Sequence, residues 1–285
     1  MHQAKQLVRR GPMWTLSILL TWTGLAMAQA IPPDADTALT ALNESPRHGE
    51  WIDIKEGRSD TSRWGDTIRA WVVYPERATR APVVIVIHEI FGLTDWIRAV
   101  ADQAAAEGFI AIAPDLLSGH GPDGGGTPAD RQEAIALVRS LRVEDVTRRL
   151  TAVARFGLSL PSASGRFGAV GFCWGGSTSF NFAANEEDLD AAVVYYGSSP
   201  SSNLLSRVKA PVLGLYGGDD ARVNATIPDA LRVMRQMGKD YVPHQFDGAG
   251  HGFLRQQSGR EGANIAAARE AWPKTISFFR EHLER

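Results

Sequence analysis

The sequence predicts a single α/β domain, a mainly parallel sheet flanked by helices on both faces, and three observations carry that expectation. From Pro82 onward, short wholly apolar runs alternate with longer amphipathic stretches. The runs are too short for helices and have no polar side to turn to water, which suits strands buried on both faces. The stretches between them are long enough for crossover helices, and strand–helix alternation of this kind builds parallel sheets. At 285 residues, 44% hydrophobic and 22% charged, the chain has the balance of one large domain, and no repeat of fixed period breaks it up.

Taken in order, residues 1–30 differ from the remainder. Lys5, Arg9 and Arg10 precede an apolar run over 13–25, and small residues follow at Ala26, Ala28 and Ala30, which is a signal-peptide pattern. A spanning helix needs about 20 apolar residues, whereas this run includes Thr15, Ser17, Thr21 and Thr23. Cleavage after Ala28 or Ala30 is expected, giving a periplasmic or secreted protein that starts at Gln29 or Ile31 and has no further membrane attachment. Residues 31–49 are rich in Pro, Asp, Ala and Ser without a sustained apolar face, so an arm or linker is expected before a domain over 50–285.

Within that domain, segments 51–54 and 67–74 flank a polar stretch holding Gly57 and Gly65 and read as an antiparallel hairpin at a sheet edge. Buried strands are expected at 83–87, 109–113, 167–170, 191–196 and 211–216, with a more polar one at 241–246. Helical patterns fill 96–107, 129–141, 143–156, 175–184, 227–237 and 262–283. A glycine-rich insert over 119–127 reads as a flexible loop at the carboxyl end of the 109–113 strand.

Composition also excludes some functions. The formal net charge is −2 with no basic stripe, so nucleic acid is not an expected partner. A single cysteine forbids an intramolecular disulfide and any zinc or iron–sulfur site built on several thiols. No His-Glu-x-x-His cluster is present, so no metal is expected. A lone thiol in an exported chain calls for a chemical reason.

That reason is supplied by Val170-Gly171-Phe172-Cys173-Trp174-Gly175-Gly176. It follows a buried strand and opens a helix, the setting in which Gly-x-Ser-x-Gly presents a nucleophile in α/β-hydrolases, here with cysteine in place of serine. A helix amino terminus and a neighbouring imidazole lower a thiol pKa from about 8.5, so Cys173 is expected to be a reactive thiolate rather than a small buried hydrophobe. An acid and then a histidine should follow, each in a loop after a later strand. The run 213–220 ends in Asp219 and Asp220, and 247–253 is a glycine-rich loop carrying His251. His88 and His120 compete for the base, but neither follows the late strand. Asp219 and Asp220 are not separable by spacing, and either would also suit a helix cap. The oxyanion should meet the backbone N–H of Trp174 and one from 88–92, for which Ile90 is the choice. Glu89 in that loop either holds or accepts the thiol proton, or pairs with an arginine.

Together, His88-Glu89-Ile90-Phe91-Gly92-Leu93, Ala113-Pro114-Asp115-Leu116, Gly171-Phe172-Cys173-Trp174-Gly175-Gly176, Tyr195-Tyr196-Gly197 and Ala249-Gly250-His251-Gly252-Phe253 resemble the dienelactone hydrolase family, from about Glu50 to the carboxyl end. The resemblance implies an α/β-hydrolase fold with a Cys-His-Asp triad that hydrolyses small-molecule enol-lactones or esters without a cofactor, through a thioester. It implies Asp220 as the acid, because the family's turn has Gly-Gly-x-Asp with an apolar residue three positions on, here Val223. It further implies Arg255 as one of two arginines that bind a substrate carboxylate. The other departs, since Asp115-Leu116-Leu117-Ser118-Gly119 lacks the expected arginine. A thiol peptidase, an acyltransferase and a non-catalytic periplasmic binding protein are the other functions compatible with such an elbow.

Overall fold

In a computed structural model of the protein the described residues are 30–57 and 67–285. The signal segment, apart from Ala30, and most of the polar link in the first hairpin lie outside them. The strands are β1 (Gly49–Lys55), β2 (Thr67–Val73), β3 (Ala81–Ile87), β4 (Ile110–Pro114), β5 (Ala163–Phe172), β6 (Ala191–Tyr195), β7 (Val212–Gly217) and β8 (Tyr241–Phe246). They form one sheet in the order β1-β2-β4-β3-β5-β6-β7-β8. β2 pairs antiparallel with both β1 and β4, and the remaining neighbours are parallel. The hairpin thus forms one edge, as expected from its two segments flanking a polar stretch.

β3 shows why the central strands carry continuous apolar runs: all seven of its residues are buried. Val83, Ile85 and Ile87 point into one core and Val84 and Val86 into the other, the period-2 alternation of a strand covered on both sides. The first core is closed by α4 (Val143–Ser159), α5 (Trp174–Asn185) and α8 (Ile227–Gln236). The second is closed by α1 (Ala38–Glu44), α2 (Asp95–Ala106) and α9 (Ala263–Leu283). α3 (Arg131–Ser140) follows the glycine-rich insert, its amino terminus capped by Asp130, which accepts from the Glu133 N–H. Two four-residue helices, α6 (Ser202–Leu205) and α7 (Ala221–Asn224), complete the set among the described residues.

Two expectations need correction. Residues 31–49 are not a free arm: Ala38 is fully buried, the Trp96 indole donates to the Pro33 carbonyl at 3.0 Å and Gln257 donates to Pro32 at 2.8 Å. The Ala35 N–H also donates to the carbonyl of Arg255 at 3.0 Å. One buried residue in a seven-residue helix leaves no periodicity to detect. The 119–127 insert is likewise tied down. The N–H groups of Gly119 and Gly121 share the Gly125 carbonyl at 2.9 and 3.0 Å, and Asp115 accepts from the Thr127 N–H and hydroxyl at 2.7 and 2.8 Å. The buried Arg149 guanidinium holds the carbonyls of Leu116 and Ser118 from beneath at 2.9 and 2.8 Å.

Candidate active site

From β3 the chain turns to β4 on one side, whereas β5 adds on the other, so a crevice opens at the carboxyl ends of β3 and β5, where open α/β sheets bind ligands. The 88–92 loop leaves β3 and Cys173 leaves β5, so strand order alone brings them together. Cys173 sits at φ 57, ψ −114, a strained backbone for a residue with a side chain. The tightness of the turn is visible at Gly171, where a Cβ would lie 1.9 Å from the carbonyl oxygen of Gly175.

His251 follows β8 and Asp220 follows β7. At Gly217 a Cβ would stand 2.6 Å from the carbonyl oxygens of both Ala249 and Gly250, so glycine lets these two loops approach backbone to backbone. His251 Nδ1 then lies 2.5 Å from Asp220 Oδ2. The other oxygen of Asp220 accepts from the Val223 N–H at 3.4 Å, so this carboxylate serves both as helix cap and as partner of the imidazole. Asp219 instead meets Arg260 at 3.0 Å. Geometry therefore separates two aspartates that spacing could not. Tyr196, fully buried and at φ 39, packs its ring 5.2 Å from that of His251.

The backbone N–H groups of Trp174 and Ile90 act on the Cys173 thiol, favouring its charged form. Its pKa is raised, chiefly by burial and then by the Glu89 carboxylate, against the lowering effect of those two N–H groups and of Arg222. This corrects the expectation of a thiolate at rest, because the helix terminus does not outweigh desolvation and a like charge.

Glu89 is 3% exposed and its Oε2 lies 2.8 Å from Arg255 Nε. Burial pushes its pKa from 4.5 up to about 7, with Arg255 and Arg131 acting in the opposite sense. Of the two alternatives for Glu89, the geometry shows the ion pair with an arginine, and its carboxylate also disfavours the charged thiol. Arg255 is accordingly engaged at rest. Its guanidinium lies 5.2 Å from the centroid of the Phe91 ring, and that of Arg131 lies 3.9 Å from the same centroid. The two arginines line a cleft of about 630 Å³ with Phe91, Leu93 and Thr127.

Arg131 is a functional candidate that sequence reasoning missed. It sits beyond the glycine-rich insert, and only the folding of that insert onto Asp115 brings it to Phe91. Among the described residues there is no cluster of His, Cys, Asp and Glu able to hold a metal, and no helix is long and apolar enough to cross a membrane.

This sheet order, with a cysteine elbow after the fifth strand and the Asp–His pair after the last two, defines an α/β-hydrolase. Residues 68–283 match the model of the dienelactone hydrolase family, and the chain belongs to that family. A carboxymethylenebutenolidase of Pseudomonas putida is 33% identical over 221 residues, spanning 75% of this chain and 92% of its own. Among solved structures, a Klebsiella pneumoniae protein assigned as a dienelactone hydrolase superposes with a TM-score of 0.68 at 27% identity, covering 81% of this chain and 98% of that one. A dienelactone hydrolase from Anabaena variabilis shares the fold with a TM-score of 0.61 at 23% identity, covering 83% and 99%. The protein is a hydrolase of the dienelactone hydrolase class.

Proposed function

We propose that the protein hydrolyses lactones or activated esters that carry a carboxylate, with Cys173 as nucleophile and a thioester intermediate. The observation that carries this reading is the strained elbow that places Cys173 at the amino terminus of α5, at φ 57 and ψ −114, together with the His251–Asp220 pair at 2.5 Å. The N–H groups of Ile90 and Trp174, which favour the charged thiol, are the donors that would receive the oxyanion of an attacked carbonyl. A substrate carboxylate entering the cleft competes with Glu89 for Arg255, and Arg131 offers it a second cation across Phe91. Glu89, released from Arg255, loses a partner that favours its ionised form and becomes the stronger base. It takes the thiol proton, sulfur bonds to the carbonyl carbon, and the tetrahedral intermediate collapses by breaking the C–O bond to the leaving oxygen. His251, oriented by Asp220, then draws a proton from water, which hydrolyses the thioester and frees Cys173.

Leaving-group chemistry selects the substrate. A thiolate departs from the tetrahedral intermediate more readily than a simple alkoxide, so alkyl esters revert, whereas an enol-lactone releases a stabilised enolate and goes forward. We further propose that the protein is exported and begins at Gln29 or Ile31, which the mass of the mature protein tests; an intact amino terminus refutes it.

The test of the activity is a hydrolysis panel of enol-lactones, aryl esters and amides with wild type beside Cys173→Ala. Turnover of lactones and aryl esters that vanishes in the variant is expected. Amide cleavage would instead identify a thiol peptidase.

A further inference from the structure

His88 closes β3 and is fully buried. Its ring stacks on that of Trp174, with centroids 5.3 Å apart and planes 16° from parallel. Nδ1 lies 2.7 Å from the carbonyl oxygen of Glu89. That oxygen can only accept, so Nδ1 carries the proton. Burial disfavours the charged ring, and in the neutral ring Nε2 keeps a lone pair. Nε2 is buried with no hydrogen-bond partner among the described residues, an arrangement that costs stability. A phenyl ring would fill the same space and stack on Trp174 without that cost. What imidazole adds is the single N–H aimed at the Glu89 carbonyl.

The Glu89 carbonyl and the Ile90 N–H belong to one planar trans peptide, whose C=O and N–H point in opposite directions. Holding the oxygen on the His88 side therefore turns the Ile90 N–H to the other side, and this N–H is one of the two that favour the charged Cys173 thiol. The Gly92 N–H also donates to the same oxygen, at 3.2 Å, a longer contact than the 2.7 Å from His88 Nδ1. His88 thus touches both donors of the thiol's seat, one through its peptide and the other by stacking on its ring.

We infer that His88 is a positioning residue: its Nδ1–H locks the Glu89–Ile90 peptide with the Ile90 N–H facing Cys173, and without that lock the site is left with the Trp174 N–H as its one fixed donor. This rests on Cys173 being the nucleophile, and the experiment keeps the two apart. His88→Phe retains the stacked ring and loses the donor. His88→Gln and His88→Met have nearly the same shape, and only Gln retains an N–H that can reach the Glu89 carbonyl.

Each variant is assayed well below its own melting temperature for kcat and KM on an aryl ester. It is also assayed for affinity toward an aldehyde, which adds the Cys173 sulfur to its carbonyl carbon as a hemithioacetal oxyanion, and toward the matching carboxylate, which forms no adduct. Removing one oxyanion donor outright costs about 10²–10³ in kcat, so a misaimed donor should cost roughly 10- to 100-fold, with KM within about threefold. The Phe and Met variants should show that loss, bind the aldehyde more weakly by a similar factor and bind the carboxylate unchanged, while Gln recovers most of both. Wild-type kcat in the Phe variant overturns the inference, and so do Gln and Met variants that are equally slow; should Phe fail to fold, the Gln–Met comparison decides. Turnover that survives Cys173→Ala would overturn the nucleophile assignment instead.

Discussion

Replacing Glu89 with glutamine should make the protein more stable in alkali, by an amount that follows from the burial of this carboxyl. Its pKa in the folded protein is about 7 against an ordinary 4.5, so between those values the native state holds a proton that the unfolded chain has released. Stability therefore falls as pH rises through this window, and the loss is complete above the folded pKa. At about 1.4 kcal/mol for each tenfold change in proton affinity, it amounts to about 3 kcal/mol between pH 4.5 and pH 9. With Glu89 3% exposed, little of this is screened by solvent. For a domain of this size it corresponds to roughly 6 to 12 °C in Tm. Glutamine cannot ionise and should remove that fall. The attraction to Arg255 exists only where Glu89 is ionised and already lowers its pKa, so it is contained in that figure. The assay is thermal denaturation of wild type and Glu89→Gln from pH 4.5 to 9. The two curves should diverge as pH rises, with the variant gaining; curves that stay parallel would show that Glu89 ionises as an ordinary carboxyl and refute the reasoning.

Three further outcomes follow from the same geometry. Cys173 in the resting protein should be alkylated more slowly at pH 7 than a free thiol, because burial and Glu89 raise its pKa; labelling should speed up with pH and, above pH 7, be faster in Glu89→Gln. Fast labelling at pH 7 in wild type would contradict this. Arg131→Ala should lower kcat/KM for a carboxylated lactone about 10-fold, the low end for a hydrogen bond to a charged group, and leave a neutral lactone unchanged. Arg255→Ala should lower kcat/KM for the carboxylated lactone by at least as much without slowing the neutral lactone, because the variant leaves Glu89 already released from its ion pair; equal losses on the charged and the neutral substrate would reject the clamp.

The centre of the sheet was legible because its strands are buried on both faces, so each left an apolar run, as β3 and β6 show with every residue buried. The docked segment around α1 was not, since Pro32, Pro33 and Ala35 are held by side chains and backbone from 96, 255 and 257, contacts without local periodicity. At the candidate site, the elbow and the histidine loop announced themselves through glycines that permit close backbone approach. The choice of Asp220 over Asp219 needed either the family's turn or the coordinates. The state of the thiol and the place of Arg131 depend on burial and on the folded path of the 119–127 insert, and neither is written in the spacing of residues.

The most direct test of the account is the mass of the protein during turnover. Wild type mixed with an enol-lactone and quenched in acid within milliseconds to seconds should carry an adduct equal to the whole lactone mass, mapped to Cys173. The adduct should decay at the turnover rate, be lost in Cys173→Ala together with activity, and accumulate in His251→Ala, where the water step lacks its base. Undiminished turnover in Cys173→Ala, or an adduct on any other residue, would contradict the account.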